Sequence, residues 1–180
     1  MFRVKLRALS TLTQFQKRKV MVLEDLRTID LGFTEVSLTK GSEDELPAWL
    51  AEFLENKGGI KVLDEITLDE LGRVLFNEKQ NITVPASIVR VQPNFYILAN
   101  KLIEKLKNSK ELEALDQLRK AINMLNEIKS IRLRKIIQLA LLNITDQNVI
   151  SNLTIEEYLV YSTLKDFVSN LLVTSNGTAS

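Results

Sequence analysis

The chain has 180 residues, 45% of them hydrophobic and 26% charged, with a formal net charge of +1. That composition is ordinary for a soluble globular protein and argues against binding driven mainly by nucleic-acid phosphates, which needs a strong basic surplus. Cysteine and histidine are both absent, which excludes thiol nucleophiles, disulfides, thiolate metal sites and every imidazole acid, base or ligand.

The first twelve residues, MFRVKLRALSTL, lack the continuous apolar core of a signal peptide. Phe2, Val4 and Leu6 alternate with Arg3, Lys5 and Arg7, a pattern that predicts a strand over 2–8. Further strands are expected at 19–23 (KVMVL), 34–38 (TEVSL) and 60–63 (IKVL). A first helix is expected to open with Pro47 at its first position and to stop before Gly58. Trp49 with Phe53, and Leu50 with Leu54, are then i,i+4 pairs that pack it inward.

Thr67 and Glu70 have capping-box spacing, with Ile66 and Leu71 placed as the hydrophobic staple of a second helix. Leu68, Leu71 and Leu75 form its buried stripe. Residues 81–92, NITVPASIVRVQ, carry Pro85 and precede Pro93, so they read as an extended connector with room for a short strand. Helical spacing returns in 94–107 through Phe95, Leu98, Leu102 and Leu106, and in 111–128 through Leu115, Leu118, Ile122 and Leu125. A last helix opens at a second capping box, Thr154 and Glu157, flanked by Leu153 and Tyr158, and runs to about Val173.

Residues 131–144, IRLRKIIQLALLNI, are apolar nearly all round. At 100° per residue, Leu133, Ile136, Ile137, Ala140 and Ile144 cover one broad side and Ile131, Leu139 and Leu142 another. Such a helix is either central in a bundle or covered by a partner. Three large aliphatics left in water would forfeit about 1.5–3 kcal/mol each. The apolar run at 136–144 is too short to span a bilayer. An intracellular protein is expected.

The fold class that emerges is α+β. A small strand-rich domain (1–64) precedes a larger all-α helical bundle (65–173), and the polar end TSNGTAS (174–180) is expected to be disordered. Carboxylates cluster at Glu43–Glu45, at Asp64, Glu65, Asp69 and Glu70, and at Glu156 and Glu157. Adjacent side chains point apart and several sit in first helical turns, so they read as caps and dipole partners rather than as a metal or catalytic site. No Gly-rich phosphate loop or nucleophile elbow occurs, and no cofactor is expected. Basic residues cluster at Lys17, Arg18 and Lys19 and at Lys129, Arg132, Arg134 and Lys135. On a helix Lys129, Arg132 and Lys135 share one side and could contact DNA or an acidic partner; a solvated face with internal ion pairs is the simpler reading.

The order of these motifs resembles the GINS family. Leu46, Pro47, Trp49, Leu50 and Ala51 are similar to its Leu-Pro-x-Trp-Leu-Ala signature, and EITLDELGRVLFNEKQN and NFYILANKL to its next two helices. Ile131, Arg132, Lys135 and Ile136 resemble its Ile-Arg-x-x-Lys-Ile/Leu segment, and Asn152, Leu153, Thr154 and Glu157 its Asn-Leu-Thr-x-x-Glu segment. The resemblance covers about residues 34–173. A strand-rich part ahead of the helices is similar to the branch of the second and third Psf subunits, and the lack of eukaryote-like insertions to archaeal members.

What the resemblance implies is a non-catalytic scaffold in DNA replication. It would form a hetero-oligomer, a 2:2 tetramer with a second GINS subunit of opposite domain order, and bridge the MCM helicase and a RecJ-like protein. The location implied is cytoplasmic and nucleoid-associated, or nuclear in a eukaryote. Ile131, Ile136, Leu139 and Leu142 are then the subunit-interface candidates.

Overall fold

The computed structural model describes residues 11, 13–32, 35–109 and 111–176, so the strand expected over 2–8 lies outside the described part. The chain divides after Glu65 into two compact units.

In the first unit the central strand is β1 (Lys17–Val22), paired antiparallel on one side with β4 (Glu43–Pro47) and on the other with β5 (Ile60–Val62). Strands β2 (Leu26–Asp30) and β3 (Glu35–Leu38) form a separate antiparallel pair. Alternation along β1 turns Arg18, Val20 and Val22 inward, where the valines join Leu38, Leu46, Ile60 and Val62 in one core. Arg18 is buried but satisfied: its Nε donates to Asp64 Oδ2 at 3.1 Å and its Nη2 to the Asp64 carbonyl at 3.2 Å.

Helix α1 (Ala48–Asn56) starts one residue later than expected, because Pro47 ends β4 and serves as the N-cap. It closes on Gly58 at φ +79°, with the Gly59 amide reaching back to the Leu54 carbonyl at 3.1 Å, a left-handed terminator that suits glycine. Leu50 and Leu54 pack into the core as expected, whereas Trp49 (39% exposed) and Phe53 (55%) lie on the outer face. The i,i+4 spacing was right for both pairs, but nine residues of helix on a small sheet offer one buried face, and the smaller leucines and alanines occupy it.

The second unit is helical: α2 (Leu68–Gln80), a 3-10 turn (Pro85–Ser87), α3 (Phe95–Asn108), α4 (Leu112–Leu141), the single turn α5 (Gln147–Ile150) and α6 (Ile155–Asn176). The Thr67–Glu70 capping box forms, the Glu70 amide donating to Thr67 Oγ1 at 3.2 Å and the Thr67 amide to Glu70 Oε2 at 2.7 Å. The connector after α2 contains the 3-10 turn and no strand. Helix α6 extends to Asn176, three residues into the segment expected to be disordered.

The patterns at 111–128 and 131–144 are one helix of 30 residues. No Gly or Pro falls between 112 and 141, so nothing interrupts a rod about 45 Å long. Its N-terminal half packs Ala121, Leu125 and Ile128 against Leu71 of α2 and Phe95, Leu98 and Ala99 of α3. Its C-terminal half packs Ile136, Leu139 and Ala140 against Ile88, Val149, Ile150 and Tyr161. Leu115 and Ile122, expected in the seam, are exposed; Ala114 and Ala121 take the buried arc, Ala121 within the cluster shared with α2 and α3. The rod ends on Asn143 in the left-handed region (φ 53°), with the Ile144 amide donating to the Leu139 carbonyl.

Candidate functional site

Between the two apolar clusters on α4 lies a buried charge junction. Arg132 and Lys135 of α4 and Glu78 of α2 are all fully buried, and Glu157 of α6 nearly so. The Arg132 guanidinium grips Glu157 with two prongs, Nε to Oε1 and Nη2 to Oε2, each at 2.7 Å. Its Nη1 donates to Glu78 Oε1 and to the Val89 carbonyl, both at 2.6 Å, and Nη2 also reaches the Asn152 carbonyl at 3.2 Å. Lys135 Nζ donates to the other oxygen of Glu78 at 2.7 Å and to Ser87 Oγ at 3.2 Å. The Val89 amide donates to Glu78 Oε1 and the Tyr96 hydroxyl to Glu157 Oε1.

Two cations and two carboxylates therefore cancel, and nearly every polar atom is partnered, which is the condition under which buried charge is tolerated. Glu157 does double duty. Its Oε2 also accepts from the Thr154 amide at 2.9 Å, the return arm of the second capping box, so the start of α6 is fixed to the middle of α4.

The electrostatics follow from this packing. Burial alone would raise the Glu157 carboxyl, but the hydrogen bonds and charge of Arg132, together with Tyr96 and the Thr154 amide, outweigh it and hold the carboxyl below its ordinary range. Burial likewise opposes the charge on Arg132, and bonding to Glu157 overrides it, leaving the guanidinium more firmly protonated. Burial, then the Glu157 charge, push the Tyr96 phenol up, so it stays a donor.

Several expected site residues thus take other positions. Arg132 and Lys135 cannot contact DNA or an acidic partner, because both heads are sealed against Glu78 and Glu157; of that trio only Lys129 is exposed. In the other basic cluster Arg18 is committed to Asp64, and Lys17 lies 3.6 Å from Glu45. Of the four interface candidates, Ile131, Ile136 and Leu139 are covered by this chain's own helices, and Leu142 alone is exposed, at 64%. Leu46 and Leu50 are core, Pro47 caps α1, and Leu153 is half-buried beside the second cluster.

Glu78 and Tyr96 were not singled out by sequence. For Glu78 a signal existed: it stands seven residues after Leu71, on the face that carries Leu71, Val74 and Leu75, and a carboxylate there must have a buried partner. Nothing local distinguishes Tyr96 from Phe95 beside it.

What α4 leaves uncovered is an apolar seam. Leu115, Ile122, Leu133, Ile137 and Leu141 fall within about 100° of arc, which they share with the exposed Arg119, Asn126 and Ser130, and Leu133 (48%), Ile137 (39%) and Leu141 (59%) form its continuous apolar C-terminal part. Leu133 also borders a cleft of about 320 Å³ between α3, α4 and α6, lined by Tyr96, Lys129, Ile136, Glu156, Glu157 and Val160. Among the described residues no Asp/Glu group is placed to hold a metal ion, and no helix is long and apolar enough to cross a membrane.

The family model of Sld5, described as the GINS complex protein helical bundle domain, matches residues 62–172. No curated protein matches the chain. The matched span holds the whole charge junction and the seam on α4.

Proposed function

The chain belongs to the GINS family, subunits of a hetero-oligomeric DNA-replication complex, and from that membership we propose that it is a non-catalytic scaffold subunit linking the MCM helicase to a RecJ-like replication protein. It is an archaeal-type member of the branch with the β-domain first, and it assembles two-to-two with a GINS subunit of opposite domain order. The observation that carries this reading is the uncovered seam on α4. Leu133, Ile137 and Leu141, aliphatics one turn apart on a rigid helix and left exposed by the chain's own fold, are the surface that subunit association covers.

The junction supports the same reading. Its charges are spent on holding α2, α4 and α6 together, which suits a rigid platform rather than a reactive centre. The test is co-expression with the second subunit and native mass measurement. A stable complex of two copies of each chain is expected, and the purified complex should retain both MCM and the RecJ-like protein. A well-behaved monomer that ignores the second subunit would sink the proposal; a complex that forms but binds neither replication protein would remove the linking role alone.

A further inference from the structure

Arg73 of α2 and Arg90 of the connector border one cleft of about 190 Å³, whose floor is formed by Val74, Val91 and Phe95. Both arginines are exposed, and among the described residues neither guanidinium has a hydrogen bond or an ion pair. This sets them apart from Arg18 and Arg132, whose heads are spent on Asp64 and on Glu78 and Glu157. Glu70 borders the same cleft, but its carboxylate is committed to the Thr67 cap. It therefore holds neither arginine, although Arg73 follows it one turn along the same helix. Two guanidinium groups beside one hollow, with no anion of the chain's own engaging them, make an acceptor for a carboxylate from outside. Size decides what carries that group. A volume of about 190 Å³ falls below the roughly 300–1,000 Å³ of cofactor and small-molecule pockets, and fits a side chain or two.

We propose that this cleft binds a short acidic peptide segment of another protein, with one Asp or Glu carboxylate taken by Arg73 and Arg90 and a neighbouring aliphatic side chain resting on Val74, Val91 and Phe95. The site lies apart from the seam on α4 and goes beyond the scaffold reading, on which it does not depend. Charge complementarity selects the acid, since paired arginines recognise acidic motifs through bidentate contacts. The floor selects the aliphatic: Val74 and Val91 are only partly buried beside Phe95, and a side chain laid on them removes apolar surface from water. A nucleic-acid backbone fits worse. It brings a run of charges to a cleft that offers two cations with Glu70 beside them, on a chain of net charge +1.

The test pans a phage-displayed random heptapeptide library on the full chain, together with its second subunit where the two co-purify. Enriched sequences should carry Asp or Glu within two residues of Leu, Ile, Val or Met. The best of them, labelled with fluorescein, should lose about tenfold in affinity on Arg73→Gln or Arg90→Gln, and again when its acid is replaced by the amide. Gln92 also borders the cleft and is exposed. Gln92→Glu should therefore weaken binding about threefold and Gln92→Lys strengthen it by a similar factor, a gain that damage to the fold does not produce. Thermal melts of each variant establish that the fold is kept. Panning that enriches no acidic sequence, or a peptide whose affinity ignores both arginine substitutions, would overturn the proposal. A duplex oligonucleotide that binds more tightly than the peptide through the same arginines would also overturn it. None of these results touches assembly with the second subunit, which native mass measurement reads separately.

Discussion

Arg132 and Glu157 face each other as a two-pronged ion pair inside the helical unit, each nitrogen–oxygen contact at 2.7 Å, with Glu157 at the same time closing the cap of its own helix. Backbone geometry at the start of α6 and side-chain register along α4 are thereby the same constraint.

Stability should fall on the acid side because of Glu157. Its carboxyl is held below the ordinary range, so its contribution is present above the unfolded carboxylate value of about 4.3 and is lost as pH drops through the lower folded value. Urea unfolding at pH 7, 5 and 3 should show a steep loss at the acid end. Glu157→Gln should be less stable at neutral pH, with its deficit shrinking as the wild type loses its advantage.

Removing one member of the junction should be severe and removing a balanced pair milder. Lys135→Met or Glu78→Leu alone strands a buried charge and should cost about 3–5 kcal/mol. The double variant leaves Arg132 with Glu157 still paired, so its loss should be well below the sum of the singles. A double-mutant cycle by chemical denaturation measures the difference, and strict additivity would argue against coupling.

Aliphatics on α4 should separate into two classes. Leu139→Ala and Ile136→Ala empty buried space and should destabilise the isolated chain by about 2–5 kcal/mol. Leu133→Asp, Ile137→Asp and Leu141→Asp should shift its melting temperature little while reducing complex formation with the second subunit. Calorimetry of the single chain and native mass of the mixture separate the two effects.

Direct DNA binding, if measured, should be weak and only mildly salt-sensitive. Within 129–135 only Lys129 and Arg134 keep exposed charge, so the logarithmic salt slope contributed by this helix should not exceed about two. Fluorescence anisotropy with duplex and single-stranded probes tests this. A steep slope abolished by Lys129→Glu would restore the nucleic-acid reading of the basic cluster.

The features legible in the sequence were those set by neighbours a few residues apart. Both capping boxes formed at the expected residues because Thr67 with Glu70, and Thr154 with Glu157, act within one turn. The α+β order was legible for the same reason. Strands β2 and β4 escaped notice: EDELP has no apolar alternation and becomes a strand only because β1 lies beside it. Its exposed acids on the sheet edge discourage further pairing. Trp49 and Phe53 were misplaced since periodicity defines a face without saying whether anything covers it. The internal ion pairing of Arg132 and Lys135 is expected from the sequence but their burial is not, because Glu78, which draws both heads inward, lies 54 and 57 residues away.

The neutrality of the junction has an evolutionary consequence. Its members come from separate stretches of sequence, yet a change in any one leaves an unbalanced charge in a dry interior. Drift at positions 78, 132, 135 and 157 must therefore pass through compensating exchanges or stop altogether, while the seam on the outside of the same helix is free to track whatever surface it meets. Exchange on the inner face of the rod is thus a matter of matched charges drawn from three helices, whereas a side chain on its outer face can be exchanged by itself.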